Sequence, residues 1–179
     1  MIMTLVMIGG CQTARVEQPL TVKYGSSEPQ VAMDFWHTLE GMPVASNDDA
    51  LHALLLFTDG TDPANDYAGR IAELKQRGWL PDDFDGPANE GVRRGVMAVV
   101  LVNALEISGG LTMHVFGPTE RYAVRELQHA RIYPLSSPHQ TFTGAQYLAL
   151  IGRIEDYVRE KKPNLFNMQV AAGDQKELH

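Results

Sequence analysis

At 179 residues with a net charge of −7, the chain suits one domain with tails and is long enough to bury a core. Acidic and basic residues are interspersed on an acidic total, which repels nucleic-acid phosphates and excludes nucleic acid as an expected partner. A single cysteine rules out an internal disulfide and a cysteine-based zinc cluster, and no apolar run has the length of a membrane-crossing helix.

The chain opens Met1-Ile2-Met3-Thr4-Leu5-Val6-Met7-Ile8-Gly9-Gly10-Cys11, a short apolar segment followed by two small residues and the cysteine. Ile8-Gly9-Gly10-Cys11 resembles the end of a bacterial lipoprotein signal peptide. That resemblance implies a signal segment over residues 1–10 and a lipid on Cys11, holding the protein to a membrane on the extracytoplasmic side of the cell envelope. No Lys or Arg precedes the apolar run, where a secretory signal normally carries one. The alternative is a buried N-terminal strand with an inert thiol. Residues 11–28 are polar and mixed and read as a tether, within which residues 20–24 alternate as one short strand would.

Helical spacing begins after Ser27, a candidate cap, with Pro29 near the first turn and Val31, Ala32, Phe35, Trp36 and Leu39 on one face. Gly41 and Pro43 stop it. Ser46-Asn47-Asp48-Asp49 then caps a helix whose apolar residues run over much of its circumference, as a central helix requires. Asp62 and Pro63 predict the next start, with Asp62 as the cap, and Tyr67, Ile71 and Leu74 as its buried face. After a proline-bounded acidic loop, a strongly apolar helix runs from about Arg93 to Leu105. Ser108-Gly109-Gly110 breaks it, and residues 111–116 fit a strand or a helical turn equally. A further helix carries Tyr122, Val124, Leu127 and Ile132. Thr143-Gly144-Ala145-Gln146 forms a capping box ahead of a stripe of Tyr147, Leu150, Ile151, Ile154 and Tyr157. A polar tail covers 161–179.

Two stretches repeat without a gap. Glu73-Leu74-Lys75-Gln76-Arg77-Gly78-Trp79-Leu80-Pro81 aligns with Glu126-Leu127-Gln128-His129-Ala130-Arg131-Ile132-Tyr133-Pro134, and Val92–Met97 aligns with Phe142–Tyr147. The pair 35–41 and 44–57 reads as a third, shortened copy. A period of roughly 50 residues suits stacked supersecondary units, none of which buries its own apolar face alone. The expected fold is all-α: a pseudo-threefold bundle of helix-loop-helix repeats over residues 29–160, with about six helices, units near 29–60, 61–117 and 118–160, and room for one or two very short strands.

The pattern resembles the S-layer homology module, in which a helix passes a Leu-x-x-x-Gly-Ile-x-Pro-like turn and a second helix starts through a Thr-Arg-containing segment. The resemblance implies a non-enzymatic module that binds cell-wall polysaccharide, with the Thr-Arg pair supplying a cap and a cation. In this chain one copy has Arg93-Arg94, another has Thr143-Gly144, and the shortened copy has Ser46-Asn47. An envelope protein is the alternative partner, with the same fold kept as an interaction scaffold.

Four residues become candidate ligand contacts. Arg93 and Arg94, at a predicted helix start beside free N–H groups, could hold a carboxylate or phosphate; otherwise they are a solvated pair balancing Glu90 and Asp85. Thr143 occupies the corresponding start in the last copy. Trp79 could stack on a sugar ring, against the alternative that it and Trp36, Tyr122 and Tyr133 pack in the core. Asp82-Asp83-Phe84-Asp85-Gly86 hints at a calcium loop, but Pro81 and Val92 fall where ligands are required, leaving an acidic turn. The six histidines show no metal-ligand spacing, and no nucleophile or phosphate-binding motif occurs. No cofactor, metal or catalytic residue is therefore expected. An enzyme using scattered acids with His129 and His139 stays the remote alternative.

Overall fold

The computed structural model describes residues 14–107 and 118–162. Among them the protein is all-α: α1 (Thr21–Tyr24), α2 (Pro29–Glu40), α3 (Asn47–Asp59), α4 (Tyr67–Gln76), α5 (Arg94–Ala104), α6 (Glu120–His129) and α7 (Gly144–Lys161). Extended pairing among the described residues is limited to the single bridges Arg15–Glu90, Ser46–Gly91 and Arg93–Thr141, with no sheet. Cys11, residues 111–116 and the tail beyond residue 162 lie outside the described residues.

Helices α2–α3, α4–α5 and α6–α7 are the three helix-loop-helix units. The aligned turns after α4 and α6 fold alike. In each, a buried leucine, Leu74 or Leu127, has its carbonyl capped by two successive N–H groups, from Trp79 and Leu80 in one copy and Ile132 and Tyr133 in the other. The residue before that pair turns left-handed in both, Gly78 at φ 69° and Arg131 at φ 63°. Glycine adopts that conformation freely; arginine adopts it at a cost of about 1 kcal/mol. The shortened first copy lacks this turn, and its six-residue link from Gly41 to Ser46 runs directly into α3.

The starts of α3, α5 and α7 converge, and each donates its first free N–H groups to the loop that leads into the next. Asn47 and Asp48 donate to the Glu90 and Ala88 carbonyls ahead of α5. Arg94 and Gly95 donate to Gln140 and Pro138 ahead of α7, and Gly144 donates to Met42 ahead of α3, closing the ring. Two residues before these starts, Ala45 N–H bonds the Phe142 carbonyl and Val92 N–H bonds that of Ala45. One turn inside, the corresponding residues Ala50, Met97 and Tyr147 meet: the buried Tyr147 hydroxyl donates to Ala50 O at 2.7 Å and lies 3.9 Å from Met97 Sδ. Burial pushes that phenol's pKa up, so it stays a donor. These helices are buried because Leu51, Leu54, Leu55, Val96, Val100, Leu101, Leu150 and Ile154 fill the space between them.

The predicted capping box is present: Thr143 Oγ1 accepts Gln146 N–H at 3.2 Å and Gln146 Oε1 accepts Thr143 N–H at 3.3 Å. Other expectations need correction. Ile132 is not part of α6, which ends at His129; it lies in the turn that caps Leu127. Residues 20–24 are not a strand: residues 21–24 form α1, which places Leu20 and Tyr24 together against the core. Residues 14–28 are not a free tether, since Val16 is buried and bonded to Asn89 O. Ser27 does not cap α2; it bonds Asp62 N–H instead, at 2.8 Å. Asp62 does not cap α4, because Asp66 does so through Gly69 N–H at 2.8 Å and Asp62 is drawn into the interior.

Two glycines of α7 separate packing from propensity. A Cβ on Gly144 would collide with the Leu39 carbonyl, whereas one on Gly152 meets nothing. In urea unfolding, Gly144→Ala should lose at least about 2 kcal/mol, while Gly152→Ala should gain about 0.5–1 kcal/mol.

Candidate functional site

A groove of about 590 Å³ opens where the loop between α4 and α5 faces the start of α6. The loop is acidic and proline-bounded, so it cannot join either helix. It is instead pinned from three sides. Lys75 Nζ bonds the Asp82 and Phe84 carbonyls at 2.6 and 3.0 Å, Tyr67 OH donates to Gly86 O at 2.6 Å, and Asn47 Nδ2 donates to Pro87 O at 2.9 Å. Burial, together with the Asp48 and Glu90 carboxylates, pushes the Tyr67 phenol upward and keeps its proton in place. The resulting floor carries Phe84, Val96 and Val99, and the rim carries Asp83, Asp85, Glu90 and Glu120 with Arg93. Arg93 pairs with Glu120 at 3.3 Å and Arg15 with Glu90 at 3.4 Å, which leaves Asp83 and Asp85 as the exposed carboxylates of the rim.

Of the four ligand contacts predicted from sequence, the structure brings Arg93 alone to this groove. The expected balancing of Arg93 and Arg94 by Glu90 and Asp85 is replaced by other partners. Arg94 is buried, with its guanidinium 4.8 Å from the Phe142 ring centre, and donates to Gln146 Oε1 at 2.9 Å. It thereby joins the start of α5 to the capping box of α7, and desolvation lowers its pKa from the usual guanidinium value. The α5 N–H groups that were to share an anion with it are taken by loop carbonyls. Thr143 is a helix cap. Trp79 is half-buried, beneath the guanidinium of Arg77 at 5.0 Å, and lines no part of the groove. His129 and His139 are exposed.

Sequence reasoning missed a buried ionic cluster where α3 of the first unit meets α4 of the second. Asp62 Oδ2 takes His52 Nδ1 and Arg70 Nε, each at 2.5 Å, and Arg70 Nη1 reaches Asp48 Oδ1 at 2.7 Å. Asp48 Oδ2 accepts the Thr21 hydroxyl at 2.6 Å, and Asp49 accepts Thr21 N–H at 3.1 Å and the Ser46 hydroxyl at 2.7 Å. His52 is wholly buried against the edge of Phe35, and its Nε2 has no hydrogen-bond partner among the described residues. By chain position Asp49 and His52 correspond to Val96 and Val99 on the groove floor. The matching place in the first unit is thus filled with paired charge and bonded to α1, while the second unit keeps an apolar floor. The available signals were the polar run 46–49 and His52, both on an otherwise apolar helix.

No protein-family model, curated protein or solved structure matches the chain. Among the described residues no group of three His, Cys, Asp or Glu side chains converges as a cation site requires. Neither the groove nor its rim brings a nucleophile to a base. Its chemistry is that of a fixed apolar and aromatic floor beneath hydrogen-bond-accepting carboxylates.

The buried cluster sets two outcomes. Arg70→Met would strand the Asp48 and Asp62 carboxylates and should cost about 3–5 kcal/mol in urea unfolding. Burial raises Asp62's pKa, but His52 and Arg70 outweigh it and the net shift is downward. Its stabilising contribution is therefore present above the unfolded carboxylate value and lost as pH falls through the lower folded one. Asp49 behaves oppositely: burial raises its pKa against the hydroxyl of Ser46 and the N–H of Thr21. The folded state takes up that proton first and gains stability as pH falls toward the unfolded value. The stability difference between wild type and Asp49→Asn should accordingly move in favour of the wild type as pH is lowered from about 7 toward about 4.

Proposed function

We propose that the protein is a non-enzymatic cell-envelope module, similar in design to S-layer homology modules, whose groove beside α5 and α6 binds a segment of cell-wall polymer. The observation that carries this reading is the pinned, floor-and-rim form of that groove. Phe84 and the neighbouring prolines offer a face for a sugar ring, and Asp83 and Asp85 accept hydrogen bonds from hydroxyl or amino groups. Four carboxylates against one guanidinium disfavour a strongly anionic polymer and favour a neutral or amine-bearing glycan such as peptidoglycan. Attachment through a lipid on Cys11 would keep the module at the membrane, within reach of the wall.

A second reading is an envelope protein as the ligand. It is favoured by an open groove of about 620 Å³ between α2, α3 and α7, lined by Met33, Trp36, Phe57 and Leu148. Cross-linking in intact envelopes followed by size-exclusion chromatography with light scattering distinguishes the two.

The polymer reading is tested by co-sedimentation with insoluble peptidoglycan and by pull-down on purified wall polysaccharide. The wild type should bind the former more tightly. Asp83→Ala combined with Asp85→Ala should weaken binding about five- to tenfold, the loss of one or two exposed hydrogen bonds to charged groups. Failure of the wild type to bind either material removes this reading.

A further inference from the structure

Charge is unevenly spread along the chain. Residues 14–107 carry seven Lys and Arg against fifteen Asp and Glu, whereas residues 118–162 carry seven against five. Part of that excess lies on one exposed face. Arg121, Arg125 and Gln128 share one side of α6 at i, i+4 and i+7. Both arginines are exposed, and no ion pair engages either of them among the described residues. Gln128 Nε2 donates to the Pro134 and Ser136 carbonyls, each at 3.3 Å, and Ser136 Oγ bonds Pro134 O at 3.1 Å. These bonds bracket Leu135 at the end of the arginine face. Its side chain is directed away from the protein, for Leu135 is 93% exposed, the highest value among the exposed large hydrophobic residues.

Arg131 adds a third exposed cation in the same turn. It stands in the left-handed conformation that the sister turn assigns to Gly78, a conformation glycine adopts more easily. Glu160, whose carboxylate feels the Arg131 charge, is itself tied to Lys161 at 2.7 Å. Cations on and just beyond a helix, beside an exposed leucine, form an amphipathic surface for which no ion pair accounts among the described residues. The arginines suit phosphate headgroups, and the leucine suits the acyl boundary just beneath them.

From this we infer that the face formed by Arg121, Arg125, Arg131 and Leu135 docks on a bilayer rich in anionic lipid. The contact is independent of the groove. It would orient the third unit toward the membrane, whatever the groove binds.

The test is flotation of the full chain carrying Cys11→Ser, so that no acyl chain contributes, with vesicles of phosphatidylcholine or of a phosphatidylcholine–phosphatidylglycerol mixture. The chain should float with the mixed vesicles, and the association should weaken as salt is raised. Arg125→Glu should reduce partitioning about tenfold, and Leu135→Ser about fivefold. Lys23→Glu, the same charge change on α1, should alter it less than about twofold. Circular dichroism of each variant should match the wild type, since all these side chains are exposed. Three results would each overturn the inference: equal binding to both vesicle types, an equal loss with Lys23→Glu, or retention on heparin without any vesicle binding.

Discussion

The first N–H groups of a helix have no partner inside that helix and must find one elsewhere. In this fold the three central helices solve that problem for one another. The starts of α3, α5 and α7 meet, and each gives its first donors to carbonyls of the loop feeding the next. This explains why the described residues hold isolated bridges and no sheet: the extended segments are only as long as the hand-over requires. It also determines what Arg94 does. At the seam between α5 and α7, with the adjacent amides already engaged, its guanidinium serves the neighbouring capping box rather than a ligand.

The three units share a backbone plan but not an electrostatic one. In the first, His52 and Asp48 of α3 are buried against Asp62 and against Arg70 of α4, and Thr21 fastens α1 over Asp48 and Asp49. Such a cluster adds less to stability than its short distances suggest, because desolvation offsets much of the attraction. What it supplies is definition: the N-terminal arm, α3 and α4 fit together in one arrangement that satisfies all but one of these buried polar atoms. The second unit has valines at the corresponding places, so its loop stands clear of α5 and leaves the groove open.

Much of the architecture was legible in the chain. Apolar periodicity located the six longer helices, and the gapless match of 73–81 with 126–134 foretold two turns with the same hydrogen bonds. Thr143 and Gln146 announced their reciprocal bonds at the correct spacing. The errors share a physical cause. Residues 20–24 satisfy both a two-residue and a four-residue spacing, and the choice was made by a distant surface on α3. Asp62 beside Pro63 has the local form of a cap, but Arg70 and His52 outbid the helix for its oxygens. For the site, sequence identified Arg93 and the acidic loop. It could not show that Arg94 turns inward, since that depends on Phe142 and Gln146, about fifty residues away.

The last unit is linked closely to the first. Gly144 lies against the Leu39 carbonyl and bonds Met42, and the hydroxyl of Tyr147 reaches Ala50 across 97 positions of chain. Contacts so far apart in sequence form late, since the intervening loop must close first. While the polypeptide emerges from the ribosome, the first two units must therefore wait with an unsealed flank until the seventh helix arrives. The bundle resembles an arch whose keystone belongs to the last of its three units to be translated.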